Sequence, residues 1–291
     1  MKNIKKIIKY LQNIFNKYTH IFLLRIGFLD KIGLFAIGEM NKYCINPLFI
    51  TIDVTDSDRI LEFSHKNNRL PINDNEARIL YSSHNLEHLT EEISDDFFKE
   101  AYRCLRPKGE LSIEVPDCEL LYNIFKKGAW ENQIPKIKNP KSYHEYFCLS
   151  KEAINLVEKN QGENMLKYIN CPHNTFLGVI CSYREPAFIG AGSSIVVEEN
   201  QFIQKINNLS MHEFFEWCIN LNDHTKKYSG GHSSFWYPKL IKDKLTSIGF
   251  EVSIRNYRKS KLFDSLTSYF LIPDRKHRSF YSFRISAIKS N

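Results

Sequence analysis

The stretch 77-ARILYSSHNLEHLTEEISDDFFKEAYRCLRPKGELSIEVPD-117 decides the fold. It opens on an apolar run that ends at Ser82 and Ser83, passes two histidines four apart, His84 and His88, with Glu87 beside the second, and enters a long amphipathic segment. Thr90 followed by acids reads as a helix start, Ile93, Phe97, Phe98, Ala101, Tyr102 and Leu105 share one face, and "RPKG" stops the helix. "ELSIEVPD" then alternates as a strand and ends at Pro116.

Working outward, "GLFAIGEM" is a short apolar run ending at Gly38, and "PLFITIDV" is a second ending in an acid, Asp53. Strand, turn, strand, long helix, strand implies an α/β fold, a doubly wound and mostly parallel sheet with helical crossovers. The rhythm breaks over residues 118–230, which are aromatic-rich and carry "SYHEYFCLS", "CPHNTFLGV" and "MHEFFEWCINL". This stretch is too long for a loop and reads as an insertion lying over the sheet. From 232 the pattern resumes with "HSSFWYPKLIKDKLTSIGF", a helix ended by Gly249. Strands at "EVSIRNY" and "SFYSFRISAIK" close the chain. The expected organisation is an N-terminal amphipathic helix (1–20), a cofactor-binding half (21–117), an insertion or lid (118–230) and a returning C-terminal part (231–291).

The 291 residues, 43% hydrophobic and 25% charged, suffice for a full core and exclude disordered and collagen-like classes. A net charge of +7 points to an acidic partner or surface without naming it. Seven cysteines, odd in number and without a CxxC, suggest neither a disulfide framework nor a zinc ribbon, and a reducing cytoplasmic compartment is expected. The early run "IFLLRIGFL" is interrupted by Arg25 and is too short to span a bilayer, and no signal peptide is read. Ile4, Ile7, Ile8, Leu11, Ile14, Phe15 and Tyr18 recur at helical spacing opposite lysines. Such a helix suits the core or a second subunit, as in a homodimer, and residues 1–18 also suit weak association with an anionic membrane surface.

In a sheet of this kind ligands bind beyond the carboxyl ends of the strands, where strand order reverses. The residues that follow the strands are Gly38 and Glu39, Asp53, Ser82, Ser83 and His84, and Asp117. A lone glycine in "GEMNKY" fails the dinucleotide fingerprint, and no phosphate-loop, GxSxG or nucleic-acid motif is present, so neither hydride chemistry nor a nucleic-acid partner is expected. His84 and His88 share a face if the helix starts by Asn85, and an HxxxH pair can bind zinc. No third ligand stands nearby in sequence, so no metal is expected. His232 in "SGGHSSFWYP" reads either as a base brought over the pocket or as the cap of the following helix, with Ser233 and Ser234. His144, His173 and Asn174 are further polar candidates within the insertion.

The ordered set "ILYSSHNLEHL…FFKEAYRCLRPKGELSIEVPD" resembles the class I S-adenosylmethionine-dependent methyltransferases, in particular a bacterial group associated with sugars and surface glycans. "KLIKDKLTSIGFEV" and "SFYSFRISAIK" look like that family's closing helix and strands, so the resemblance covers roughly residues 32–117 and 232–288. It implies S-adenosyl-L-methionine as cofactor and a small-molecule or glycan-linked acceptor methylated at a hydroxyl or amine in surface polysaccharide modification. It implies that Gly38 and Glu39 form the first turn, Asp53 meets the ribose hydroxyls, Ser64 or His65 meets the adenine, and Ser82 to His84 line the donor. His84 or His232 would position or deprotonate the acceptor, with Asp117, His144, His173 and Asn174 on the acceptor side. The chain departs from the pattern at Met40, where a second glycine is usual, and at Arg78, where an acid is usual. A protein of this fold that has lost catalysis and serves as a scaffold is the alternative.

Overall fold

Parallel strands need crossovers and bury both faces, so they read as short apolar runs. β1 (Leu34–Ile37) follows this rule with every residue buried, and β2 (Ile50–Asp53) is buried up to its final acid. The computed structural model describes residues 2–38, 48–53, 57–60, 69–134, 171–181, 197–221, 232–255 and 281–291. Within them β3 (Arg59–Ile60), β4 (Ala77–Ser83), β5 (Leu105–Pro116), β6 (Phe250–Arg255) and β7 (Ser282–Lys289) complete a sheet of order β3-β2-β1-β4-β5-β7-β6. β1 to β5 run parallel, and β7 is antiparallel to both β5 and β6. This is the expected doubly wound sheet.

The register sets the site. Ile37 pairs with Ile52 on one side and Ser82 on the other, so Gly38, Asp53 and Ser83 stand abreast one step further along. Strand order reverses between β1 and β4, which opens a crevice at that end.

Helix α1 (Lys2–Arg25) leads through Gly27, at φ 65, into α2 (Phe28–Ile32). On α1, Leu23 and Leu24 pack on the sheet core and His20 bonds Asp58 at 2.9 Å, while Phe15, Tyr18 and Phe22 are 70%, 69% and 61% exposed. No helix among the described residues is long and apolar enough to cross a membrane. α3 (Glu91–Cys104) begins where Thr90 Oγ1 accepts from the Ile93 amide and buries Phe97, Phe98, Ala101 and Cys104, as its spacing predicts. It runs straight into β5. The "RPKG" segment is a bulge in that strand: Ala77 pairs with Leu105 but Ile79 with Glu110, and Lys108 at φ 63 takes up the excursion.

Two further boundaries depart from the sequence reading. The helix after the insertion, α9 in chain order, is Pro238–Ile248 and does not begin at His232. Pro238 at its first turn forces Tyr237 into an extended conformation, and Gly249 at φ 111 closes the other end. The two-residue strand β3 has no periodicity to betray it; Asp58 pins it by accepting from the Thr51 amide at 2.8 Å and hydroxyl at 2.9 Å.

Between β5 and α9 lie α4 (Cys118–Lys126), α5 (Trp130–Gln133), α6 (Pro172–Ile180), α7 (Glu199–Asn208) and α8 (Met211–Ile219). They enclose a second apolar cluster, with Leu121, Phe176, Phe202, Phe214 and Phe215 fully buried. Phe202 contacts Phe176 and Phe214, both with ring centroids 5.4 Å apart, edge-on as ring quadrupoles prefer.

In the main cluster Phe98 is fully buried and meets Trp236 edge-on at 5.8 Å. Phe98→Ala should lower the stability by about 3–5 kcal/mol, measured as a shift of the urea midpoint with an unchanged slope.

Candidate active site

The strand-end residues are held by distinct means. Gly38 ends β1 at φ 78, a region glycine enters without penalty, and its amide donates to Ile52 O at 2.8 Å. A Cβ there would lie 2.5 Å from the Asn85 side chain, so only glycine fits between β1 and the turn after β4. Asp53 ends β2 with its amide bonded to Ser57 Oγ at 3.0 Å. Ser82 is buried and its hydroxyl has no hydrogen-bond partner, whereas Ser83 Oγ donates to Glu114 Oε2 at 3.1 Å. Ser83 therefore ties β4 to β5.

His84 follows β4 at φ 51, a backbone conformation that costs a non-glycine residue energy and recurs at functional sites. Its amide donates to Glu114 O at 2.8 Å. The imidazole is clamped from both sides: Nδ1 lies 3.0 Å from Glu87 Oε1, and Nε2 lies 3.0 Å from Ser282 Oγ. The carboxylate beside Nδ1 favours the tautomer with its proton there, which leaves the lone pair on Nε2 to accept from the Ser282 hydroxyl. Tyr281 closes on the ring edge-on at 5.8 Å.

His84 and His88 do not share a helical face. A single 3₁₀ turn, Leu86–His88, follows β4, and α3 starts only at Glu91. The turn points Glu87 inward, where it is 2% exposed, and leaves His88 exposed. Ser233 and Ser234 both donate their amides to Glu87 O, at 2.7 and 3.1 Å, and this bond pair seats the post-insertion segment on the turn. His232 is carried in with it, buried to 8% exposure, its ring edge-on to His88 at 4.9 Å. Its Nδ1 donates to Ile180 O at 2.7 Å, and its amide approaches Cys181 O, at the end of α6. It caps no helix, since an extended segment separates it from α9. Ser234 Oγ bonds Leu86 O at 3.2 Å and accepts from the Trp236 indole at 2.9 Å.

His84, Glu87, His88 and His232 thus form one group. Burial opposes ionisation of Glu87, yet the positive charge available at His84, and then at His232 and His88, holds its carboxyl down at about 2. Burial pushes the His232 imidazole down to about 4, against the pull of Glu87. At neutral pH His232 is neutral and Glu87 anionic. Glu87 is the member of this group that the sequence reading did not place among the candidates; its signal is an acid three residues after a strand-end histidine.

Asp117 stands at the same rim. Pro116, the residue before it, pairs with Ser282, and the Asp117 amide donates to Tyr281 O at 2.7 Å. Its carboxylate caps α4 by accepting from the Leu120 amide at 2.9 Å. His173 lies elsewhere: on α6 its ring meets Phe202 at 5.9 Å and its Nδ1 lies 3.0 Å from Cys171 Sγ, with Asn174 half-buried next to it. Glu39, Met40, Ser64, His65 and His144 lie outside the described residues.

Residues 51–113 match the family model described as a methyltransferase domain. No curated protein matches the chain. Among solved structures, an S-adenosylmethionine-dependent methyltransferase from Mesorhizobium loti aligns over 89% of this chain and 93% of its own, at 8% identity and a TM-score of 0.38. A SAM-dependent methyltransferase from Archaeoglobus fulgidus aligns over 94% of each chain, at 11% identity and 0.36. Phosphoethanolamine N-methyltransferase 2 of Haemonchus contortus, in complex with S-adenosyl-L-methionine, aligns over 94% of this chain and 52% of its own, at 10% identity and 0.34. At such identities and scores the likeness says nothing about mechanism. The family match covers the part of the chain that carries β2 to β4, α3 and most of β5.

Burial raises the Asp117 carboxyl to about 6, partly offset by the Leu120 amide. A folded pKa above the unfolded 3.8 means that the fold takes up a proton, so this residue's contribution to stability is present below about 3.8 and lost as pH rises through about 6. Asp117→Asn keeps the cap and removes the charge. The stability of the variant relative to the native chain should therefore rise between pH 4 and pH 7, measured from urea midpoints at each pH; a flat difference would refute the assignment.

Proposed function

We propose that this chain transfers a methyl group from S-adenosyl-L-methionine to a hydroxyl or amine of a small or glycan-linked acceptor, in cytoplasmic steps of surface polysaccharide modification. The observation that carries the reading is the alignment of Gly38, Asp53, Ser82 and His84 at the ends of adjacent strands around the reversal of strand order. The residues fit the cofactor. Ser82 offers a buried hydroxyl without a protein partner, Gly38 brings bare backbone to the turn, and Asp53 is a half-buried acid at the end of the second strand. The glycan assignment is supported only by the resemblance of "SSHNLEHL" and "VPD" to that group of enzymes.

The bound cofactor supplies a sulfonium whose charge makes its methyl group electrophilic. The chain itself must align the acceptor and remove its proton. His84 suits the proton removal, because the Glu87 carboxylate beside Nδ1 favours the proton there and the lone-pair nitrogen Nε2 sits at Ser282, the hydroxyl that an acceptor would replace or donate through. Asp117, at the same rim, would hold the acceptor's hydroxyl. His232 binds a backbone carbonyl through Nδ1 and acts through Glu87 as a positioning residue. Residues 118–230 serve as the acceptor lid.

Calorimetric titration with S-adenosyl-L-methionine, or with its demethylated product, should show micromolar binding that Asp53→Ala weakens. Absence of heat and of any thermal shift at millimolar ligand would refute the proposal. Once an acceptor is identified, His84→Gln should lower kcat by about 10²–10⁴ and leave cofactor binding nearly intact.

A further inference from the structure

We propose that Glu87, His88 and His232 form a binding site for one divalent transition-metal ion of zinc type. One ligand atom from each side chain lies within 4.8 Å of the other two. The chemistry of each residue suits the role. His232 donates Nδ1–H to Ile180 O, which places the lone pair on Nε2, the arrangement in which a metal-bound imidazole is usually held by its second nitrogen. Glu87 is 2% exposed, and neither carboxylate oxygen receives a hydrogen bond. The nearest donor, His84 Nδ1, reaches Oε1 at 3.0 Å but is not directed along that line. Among the described residues no lysine or arginine pairs with Glu87, so a buried anion stands between imidazoles with its oxygens unsatisfied. A buried carboxylate held only by neighbouring imidazoles, with no hydrogen bond aimed at either oxygen, has acceptor capacity left for a cation.

His88 is exposed, which gives an ion a path in. Ligand atoms around a tetrahedral ion with bonds of about 2.1 Å stand roughly 3.4 Å apart, so binding draws the wider pairs of this group together by an ångström or so. Two imidazoles and a carboxylate select zinc, cobalt or nickel over magnesium, which demands oxygen ligands. Three protein ligands leave a position for water or an acceptor oxygen, the composition of a catalytic ion. His84 then belongs to the outer shell. Its contact with Glu87 Oε1 and with Ser282 orients the ligating carboxylate.

The test uses the full chain, stripped with chelator and desalted, without S-adenosyl-L-methionine, so that its result is independent of the methyl-transfer reading. Titration with Zn²⁺ by calorimetry and with Co²⁺ by visible ligand-field absorption should give one ion per chain, with a raised melting temperature and no competition from Mg²⁺. His88→Ala changes an exposed residue and should leave the metal-free melting temperature in place while reducing affinity by more than the roughly 10–100-fold typical of outer-shell changes. Glu87→Gln should weaken metal binding by as much, and His84→Gln should fall within that roughly 10–100-fold range. His212→Ala, which removes an exposed histidine 3.7 Å from Glu216, should have no effect. No Co²⁺ spectrum and no thermal shift at millimolar metal would overturn the proposal. So would wild-type affinity in both His88→Ala and Glu87→Gln, which would mark the uptake as adventitious.

Discussion

A carboxylate buried beside a strand end is the constraint around which this site is arranged. Glu87 has 2% of its surface exposed and no hydrogen bond to either oxygen, yet it ionises readily because imidazoles surround it. Burying an isolated carboxylate costs several kcal/mol even after relaxation. The surroundings therefore have to supply positive charge or directed dipoles, and in this chain His84, His88 and His232 all converge on it. The backbone of the same residue has a separate role: its carbonyl takes two amides from the 233–234 segment and so fixes where the chain re-enters after the insertion. Side chain and main chain of one residue join β4, α6 and the approach to α9.

Much of the sheet was legible because parallel strands buried on both faces leave a plain signature. "LFAI", "ITID", "ARILYSS" and the amphipathic α3 all fall where their patterns place them. What the patterns do not encode is any feature decided by contacts distant in sequence. β3 has two residues and is pinned by Asp58 onto Thr51 and His20, so no window of the sequence contains its cause. The "RPKG" turn reads as a helix stop, which it is, but its continuation as a bulge within β5 depends on the partner Ala77 already being paired with Leu105.

The site was legible in half. Residues that follow strands are found by locating the strands, and Gly38, Asp53, Ser82 and His84 were located in this way. The pairing of His88 with His232 spans the whole insertion and rests on a 3₁₀ turn that substitutes for the first helical turn. Helical periodicity would have placed His84 and His88 side by side. The turn instead separates them and drives Glu87 between them, so the apparent histidine pair of the sequence is two histidines facing one acid from different directions.

The same geometry bears on how an acceptor would be held. His84 presents one nitrogen to Glu87 and the other to Ser282, and Ser282 pairs across the sheet with Pro116, the residue before Asp117. His84 directly follows β4, Ser282 lies on β7 and Asp117 directly follows β5, so all three stand at or next to the ends of neighbouring strands of one sheet. Loops tolerate displacement of an ångström, and proton transfer between misaligned groups does not. The insertion's described helices build an aromatic core of their own, and the end of α6 meets the returning segment through Ile180 O and Cys181 O, which accept from His232.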